Sequence, residues 1–392
     1  MKILGIYLQK QIRTGGARRY FDLLEGLASR GNTVYMLVSE HLDYNSDSIN
    51  FLKLPILYKN HKFPPASYLF LKCVKENLEV IKNSVEDKKI PIDYIIIFGD
   101  THLKTALFLK KELKISLFYG FRCNDIDRAH LIRAYGGLSL KEYLFSVLYE
   151  LINRYREKQV AKHAESISFI NNADKERFLI RTKPVFSNIV VIPNHIGPPR
   201  CTYETKNINK SEKVEKIVYV GSLSRNKGVW DLLKSLSVLI KKGHTFLKCY
   251  LLGRMEDTDE TIRLIKKLNL EKNIFIEGYK DPFPYFQNCD LFVYPTLYDS
   301  FGNVIAEALH TGCPVMASNV GGVTELLLYP ELLFSSGNIN EISDKIERCI
   351  TDNEFYRNIR NLCSKRTLIY EFDWIEKYEN VMKNMLHIKK MI

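Results

Sequence analysis

Residues 217–231 read IVYVGSLSRNKGVWD. The run Ile217–Val220 is β-branched and aromatic. Gly221 ends it, a polar loop carrying Arg225 and Lys227 follows, and Gly228 precedes an apolar stretch with helical spacing. A strand running through a short loop into a helix is half of a βαβ unit, and repeats of that unit make a parallel sheet. The start of the second element also has a chemical meaning. Helix N-termini present unpaired N–H groups and partial positive charge, and two cations stand beside this one, so the segment suits a diphosphate. A solvated loop with ordinary surface cations is the plainer reading of the same residues.

Downstream, residues 294–307 read YPTLYDSFGNVIAE. A strand again gives way to a loop, and a helix starts near Phe301–Gly302. Asp299 precedes it, where a carboxylate either caps the helix or contacts a ligand. Glu307 lies one turn beyond Asn303 on the same face, where its two acceptor oxygens suit a pair of vicinal hydroxyls. Residues 312–325, GCPVMASNVGGVTE, place a strand before a Gly321-Gly322 turn, where backbone can approach a ligand closely. The remaining segments alternate likewise: strand-like Lys216–Val220, Phe246–Leu252, Asn273–Glu277, Leu291–Tyr294 and Pro314–Ala317, with helical Val229–Lys242, Thr261–Leu270, Asn303–His310 and Ile339 onward.

The first half repeats the scheme. Strands are expected at Ile3–Leu8, Thr33–Ser39, Tyr94–Phe98, Ile115–Tyr119, Ser166–Ile170 and Ile189–Ile192, and helices at Arg18–Arg30, Ser67–Glu86, His102–Leu113 and about Leu138–His163. After the first strand comes QIRTGGARRY, residues 11–20, a glycine pair opening an Arg-rich helix. Polar, Lys-rich sequence from Gly197 to Glu215, with Pro198-Pro199, reads as an interdomain linker. The chain of 392 residues therefore divides into two α/β domains, 1–198 and 199–373, with a closing helix at about 374–392 expected to pack back on the first.

Composition narrows the classes. Hydrophobic residues at 46% and charged residues at 26% describe a globular chain. No run is long and apolar enough for a spanning helix, and Ile3–Leu8 is too short for a signal sequence. Eight cysteines are scattered without a CxxC pair, which suits a reducing cytoplasm. The net charge of +12 is lopsided: residues 1–200 hold about 31 Lys and Arg against about 20 Asp and Glu, and the remainder is nearly balanced. A basic half suggests an anionic partner, a membrane surface or a lipid phosphate, or is simply a soluble Lys-rich surface; no nucleic-acid motif accompanies the charge. The stretch from Leu138 to Lys162 mixes Leu, Tyr, Phe and Val with Arg and Lys. It either packs on its own sheet, the ordinary fate of an apolar stripe, or lies on an anionic membrane. Neither GxGxxG nor GxxxxGK[ST] occurs. The Asp-x-Asp pairs at Asp125–Asp127 and Asp257–Asp259 are common chance patterns, and no metal or other cofactor is expected.

Taken together, these segments resemble family four of the retaining glycosyltransferases (glycosyl transferases group 1), which have the GT-B fold of two facing Rossmann-like domains with an interdomain cleft. GGARRY resembles the family's N-terminal glycine loop, with Gly15 and Gly16. VIPNHI at Val191–Ile196 resembles the exit from the first domain. VGSLSRNKG resembles the phosphate loop, with Lys227 at the family's lysine position. LLGR at Leu251–Arg254 and EGY at Glu277–Tyr279 resemble the strand ends around a nucleobase. Asp299 and Glu307 stand at the two ends of its Glu-x7-Glu element. The resemblance implies a hexosyltransferase-type enzyme taking a UDP- or GDP-sugar and transferring to a glycan or lipid-linked acceptor in surface polysaccharide or glycoconjugate biosynthesis. With the scattered cysteines and the basic first half, a cytoplasmic protein is expected, either free or peripheral at the inner face of the plasma membrane. Catalytic roles fall to Lys227, Arg225, Asp299 and Glu307. Donor contacts fall to Gly15, Gly16, Ser222, Gly253, Tyr279, Ser300, Phe301, Gly302, Asn303 and Val304. Three departures stand out. Asp299 replaces a Glu, Ser222 stands where the family usually has Arg, and the run FYGFRCNDID after Ile115–Tyr119 lacks the family's His. Candidate acceptor-side residues are then His102, Arg122, Asn124 and Asp125. A GT-B-fold nucleotide-sugar epimerase and a non-catalytic nucleotide-sugar binder are the alternatives.

Overall fold

Two parallel sheets, each wound in both directions from its middle, organise the chain. The computed structural model describes residues 1–12, 15–56, 66–86, 92–135, 138–184, 188–195 and 213–391. Most of the linker expected at 197–215 lies outside these residues. One compact unit comprises Met1–Ile126, Val147–Ile192 and Asp373–Ile392; the other comprises Asp127–Ser146 and Pro193–Phe372.

In the first unit the strands are β1 (Lys2–Tyr7), β2 (Thr33–Ser39), β3 (Asn50–Leu54), β4 (Tyr94–Phe98), β5 (Ser116–Gly120), β6 (Ser166–Phe169) and β7 (Asn188–Val191). They pair in the order β3-β2-β1-β4-β5-β6-β7, all parallel. Buried on both faces, they read as nearly continuous apolar runs. Leu4, Ile6, Ile95, Ile97 and Leu117 pack with Phe70 and Leu109 from the helices Ala66–Glu76 and Leu103–Leu113. The opposite face receives the helix Trp374–Met391, whose Tyr378 ring lies 5.7 Å from that of Phe118. The same helix is tied down by the Tyr94 hydroxyl, which donates to the Met382 carbonyl at 3.3 Å, and by Asn32 Nδ2, which donates to Glu379 at 2.9 Å.

The second unit has β8 (Lys216–Val220), β9 (Lys248–Leu252), β10 (Ile274–Gly278), β11 (Leu291–Tyr294), β12 (Val315–Ser318) and β13 (Leu333–Phe334) in the order β10-β9-β8-β11-β12-β13. In both sheets the winding reverses between two central strands, β1/β4 and β8/β11. The loops leaving those strands diverge, and such switch points are where open α/β sheets bind ligands.

Several local expectations need correction. Strand β3 and the helix Asn172–Thr182 were not anticipated, although Asn171 caps that helix by accepting the Asp174 amide at 2.7 Å. The stretch Ser67–Glu86 divides at Asn77 into Ala66–Glu76 and Leu78–Glu86. Gly321 and Gly322 do not form a turn but open the helix Gly321–Leu327.

The helix Leu140–His163 departs from the usual pattern. Its buried residues are Asn153, Glu157 and Val160, with Glu157 held by the Arg181 guanidinium at 2.7 Å. Its large apolar side chains face solvent. Among the described residues no helix is long and apolar enough to cross a membrane.

Candidate functional site

The switch-point loops of the second unit are built by close backbone packing. After β8, the Gly221 amide donates to the Leu252 carbonyl at 2.9 Å and the Leu223 amide to that of Arg254 at 2.8 Å, tying the ends of β8 and β9. Gly253 sits at φ 142°, and a Cβ there would lie 1.8 Å from the Gly221 carbonyl oxygen. Arg225, Asn226 and Lys227 form a 3-10 turn. Gly228 follows at φ 69°, where a Cβ would fall 1.8 Å from the Pro295 carbonyl oxygen. Only glycine lets this turn lie against the exit of β11. The Leu297 amide completes the junction by donating to the Asn226 carbonyl at 3.0 Å.

That junction brings Lys227 to Asp299. Lys227 Nζ lies 2.9 Å from Asp299 Oδ2 and 3.0 Å from the Tyr294 hydroxyl, which itself donates to Asp299 Oδ2 at 2.9 Å. The other oxygen, Oδ1, accepts the Phe301 amide at 3.1 Å and the Gly302 amide at 2.8 Å. Burial works against the charge on Asp299, but the Lys227 ammonium and these donors outweigh it and hold the carboxyl below its ordinary value. Burial likewise opposes the Lys227 charge, and Tyr294 and Asp299 reverse the effect, so the ammonium persists well above its ordinary range. Gly302, at φ 83°, then opens the helix Asn303–His310. The amides of Asn303 and Val304 occupy its first two positions, which have no intrahelical acceptor. A cation, a helix N-terminus and a carboxylate thus meet at one switch point, a combination that binds a charged oxyanion and grips a hydroxyl.

Residues 203–366 match the family model described as glycosyl transferases group 1. The matched residues lie within the second unit. Over 176 residues the chain is 30% identical to the capsular polysaccharide biosynthesis glycosyltransferase CapM of Staphylococcus aureus, covering 42% of this chain and 46% of that protein. The chain thus spans about half the length of that relative. Among solved structures, sucrose-phosphate synthase from Thermosynechococcus elongatus superposes with a TM-score of 0.74 at 18% identity, covering 100% of this chain and 98% of that one. HepE of Anabaena, in complex with UDP and glucose, gives 0.67 at 17% identity over 99% and 100%. These likenesses show the fold: two Rossmann-like units of the GT-B type.

Within the matched region the remaining expected residues divide. Ser300 is buried, its hydroxyl 3.1 Å from that of Tyr298, and Phe301 packs edge-on to Tyr370. Asn303 Oδ1 accepts from Asn194 at 2.8 Å. Glu307 lies exposed one turn on. Ser222 donates to Glu256 at 3.0 Å, and the Arg225 amide donates to Asp257 at 3.1 Å, so both belong to the neighbouring β9 loop as well. Tyr279, beyond β10, is 80% exposed. The Gly321-Gly322 pair approaches protein rather than open space: the Gly322 amide donates to the Asp299 carbonyl at 3.1 Å, and a Cβ on Gly321 would lie 2.3 Å from that oxygen. Sequence reading missed Tyr294. Its signal was a lone hydroxyl at the C-terminal end of a central strand. No group of three or more His, Cys, Asp or Glu able to hold a metal occurs among the described residues.

In the first unit Gly15 and Gly16 open the helix Gly15–Ser29 at the end of the β1 loop. His102 is buried between Phe70 and Tyr7, with ring centroids at 5.2 and 6.0 Å, and neither ring nitrogen has a hydrogen-bond partner among the described residues. Burial holds its pKa down at about 3. The Arg122 guanidinium stacks 3.7 Å from the Phe98 ring centre. Asn124 donates to Asp174 at 3.1 Å, and Asp125 begins the helix Asp125–Tyr135. A polar cluster that the sequence did not announce sits where β4 ends. Asp100 accepts the Tyr119 hydroxyl and lies 3.5 Å from the Arg156 guanidinium, and burial raises its carboxyl pKa. The β4 and β5 ends are thus lined by Asp100, Tyr119 and Arg156, drawn from segments far apart in sequence.

Proposed function

We propose that the chain is a retaining hexosyltransferase that takes a UDP- or GDP-sugar and transfers the sugar to a glycan or lipid-linked acceptor in surface polysaccharide or glycoconjugate biosynthesis. It would work from the cytoplasm at the inner face of the plasma membrane. The observation that carries the reading is the meeting of Lys227, Asp299, Tyr294 and the Asn303 helix N-terminus at the β8/β11 switch point of the region that matches the group 1 family model. The named role of CapM and the UDP and glucose bound to HepE point to the same substrate classes.

In this scheme the bond from the anomeric carbon to the diphosphate breaks. The acceptor oxygen bonds to that carbon on the same face, and the departing phosphate oxygen takes the acceptor's proton. Lys227 and the amides at the helix start stabilise the charge that develops on the leaving group, which is usually the largest catalytic contribution. Arg225 would add charge to the same group. Glu307 would hold the ribose hydroxyls and Asp299 a hydroxyl of the sugar.

A thermal-shift screen of nucleoside diphosphate sugars tests the donor reading, because a ligand bound only by the folded chain raises the midpoint. No shift with any UDP- or GDP-sugar would defeat it. Incubating the stabilising donor without acceptor then separates transfer from epimerisation: an epimer appearing in that tube would replace transferase with epimerase.

A further inference from the structure

The helix Leu140–His163 is amphipathic the wrong way round for a helix that serves only its own core. At about 100° per residue, its exposed Leu144, Leu148, Leu151, Ile152 and Tyr155 fall on one side. Leu144, Leu148, Leu151 and Tyr155 are 59%, 55%, 58% and 61% exposed. The buried Asn153, Glu157 and Val160 fall on the other. Charge follows the same division. Lys141, Lys158 and Lys162, all exposed, lie on the apolar side. The helix's three acidic residues lie away from it and are already engaged: Glu142 accepts from Ser139, Glu150 from Arg154, and Glu157 from Arg181. The face is therefore apolar along its middle and purely cationic towards its ends.

We propose that this face docks on an anionic lipid bilayer, with the leucines and Tyr155 entering the boundary between headgroups and acyl chains and the three lysines meeting lipid phosphates. Long lysine stems let the ammonium reach the headgroups while the helix lies in the plane of the membrane, and tyrosine rings favour that depth. A second copy of the chain fits the charge poorly, because antiparallel self-pairing about Leu148–Leu151 would set Lys141 against Lys158. The basic balance of residues 1–200 adds long-range attraction to the same kind of surface. The inference rests on the proposed location at the membrane but not on the transfer reaction, since lipid binding needs no turnover.

Vesicle flotation tests it, using phosphatidylglycerol and phosphatidylcholine in equal parts against phosphatidylcholine alone. The full chain should float with the anionic vesicles only, and less at high salt. Lys158→Ala/Lys162→Ala should weaken partitioning by about 25-fold, at about fivefold per lysine near the surface. Leu148→Glu/Leu151→Glu should weaken it by about tenfold or more, with an unchanged unfolding midpoint. Equal flotation on neutral vesicles, or no flotation at all, overturns the proposal. So does unfolding of the Leu148→Glu/Leu151→Glu chain, which would make the face part of the core. A wild-type dimer in sedimentation equilibrium that this variant converts to monomer assigns the face to a second copy instead.

Discussion

Replacing Lys227 by alanine separates the proposed catalytic role from the structural one that its pairing with Asp299 shows. The two side chains are 31% and 23% exposed, between the exposed pairs that contribute little and the buried pairs whose breakage is costly. Without the ammonium, Asp299 keeps the Tyr294 hydroxyl and the amides of Phe301 and Gly302. Three donors remain, so the loss in folding stability should be about 1–2 kcal/mol, or about 2–4 °C in midpoint per kcal/mol for a unit of this size. Turnover should fall further, by about 10²-fold or more, the scale of removing one preorganised donor from a developing anion. The assay is nucleoside diphosphate release from whichever donor shifts the unfolding midpoint. Adding Asp299→Asn to Lys227→Ala removes the carboxylate that had lost its cation, and the double variant should regain stability but not turnover. Wild-type-like turnover in Lys227→Ala would refute the leaving-group role. Recovery of turnover together with stability in the double variant would show that Lys227 serves only to neutralise Asp299 and that transfer needs neither side chain.

Glu307→Ala should weaken UDP or GDP binding by about 10- to 100-fold, the range for a charged hydrogen bond lost, and calorimetry showing unchanged affinity would remove its ribose role. Gly253→Ala must place a Cβ against the Gly221 carbonyl from φ 142°; a loss of at least about 3 kcal/mol in urea unfolding is expected, and an unmoved midpoint would contradict the packing. His102 binds a proton near pH 6.5 when unfolded but only at about 3 when folded, so the unfolded state holds more protons across that window and stability falls as the pH drops from about 6.5 to about 3. His102→Leu should flatten that part of the stability curve, and a curve of wild-type slope would mean the imidazole titrates normally in the fold.

How much of this was legible beforehand follows from the range of the interactions involved. The strands and loops around Gly221–Gly228 and Tyr294–Gly302 could be read because strand-loop-helix order is written in consecutive residues. Lys227 and Asp299 were assigned to one site by resemblance, but their mutual pairing was not foreseen. It depends on Gly228 fitting under Pro295, a contact between loops far apart in sequence. Tyr294 does not stand out in the sequence, because a tyrosine at a strand end ordinarily belongs to the core. The Gly321-Gly322 pair was read as a ligand-facing turn, whereas its close approach is to the Asp299 carbonyl. In the first unit, Asp100, Tyr119 and Arg156 converge only once β4, β5 and the helix Leu140–His163 are in place, and no local pattern announces them. That helix was read as an apolar stripe suited to core or membrane; only tertiary structure reveals which side of it is covered.

Asp299 has one more consequence. Its carboxylate is the common acceptor for the cation of one loop and for two amides of the next. A single side chain therefore couples the turn after β8 to the start of the helix after β11, and a change that shifts either segment is felt by the other.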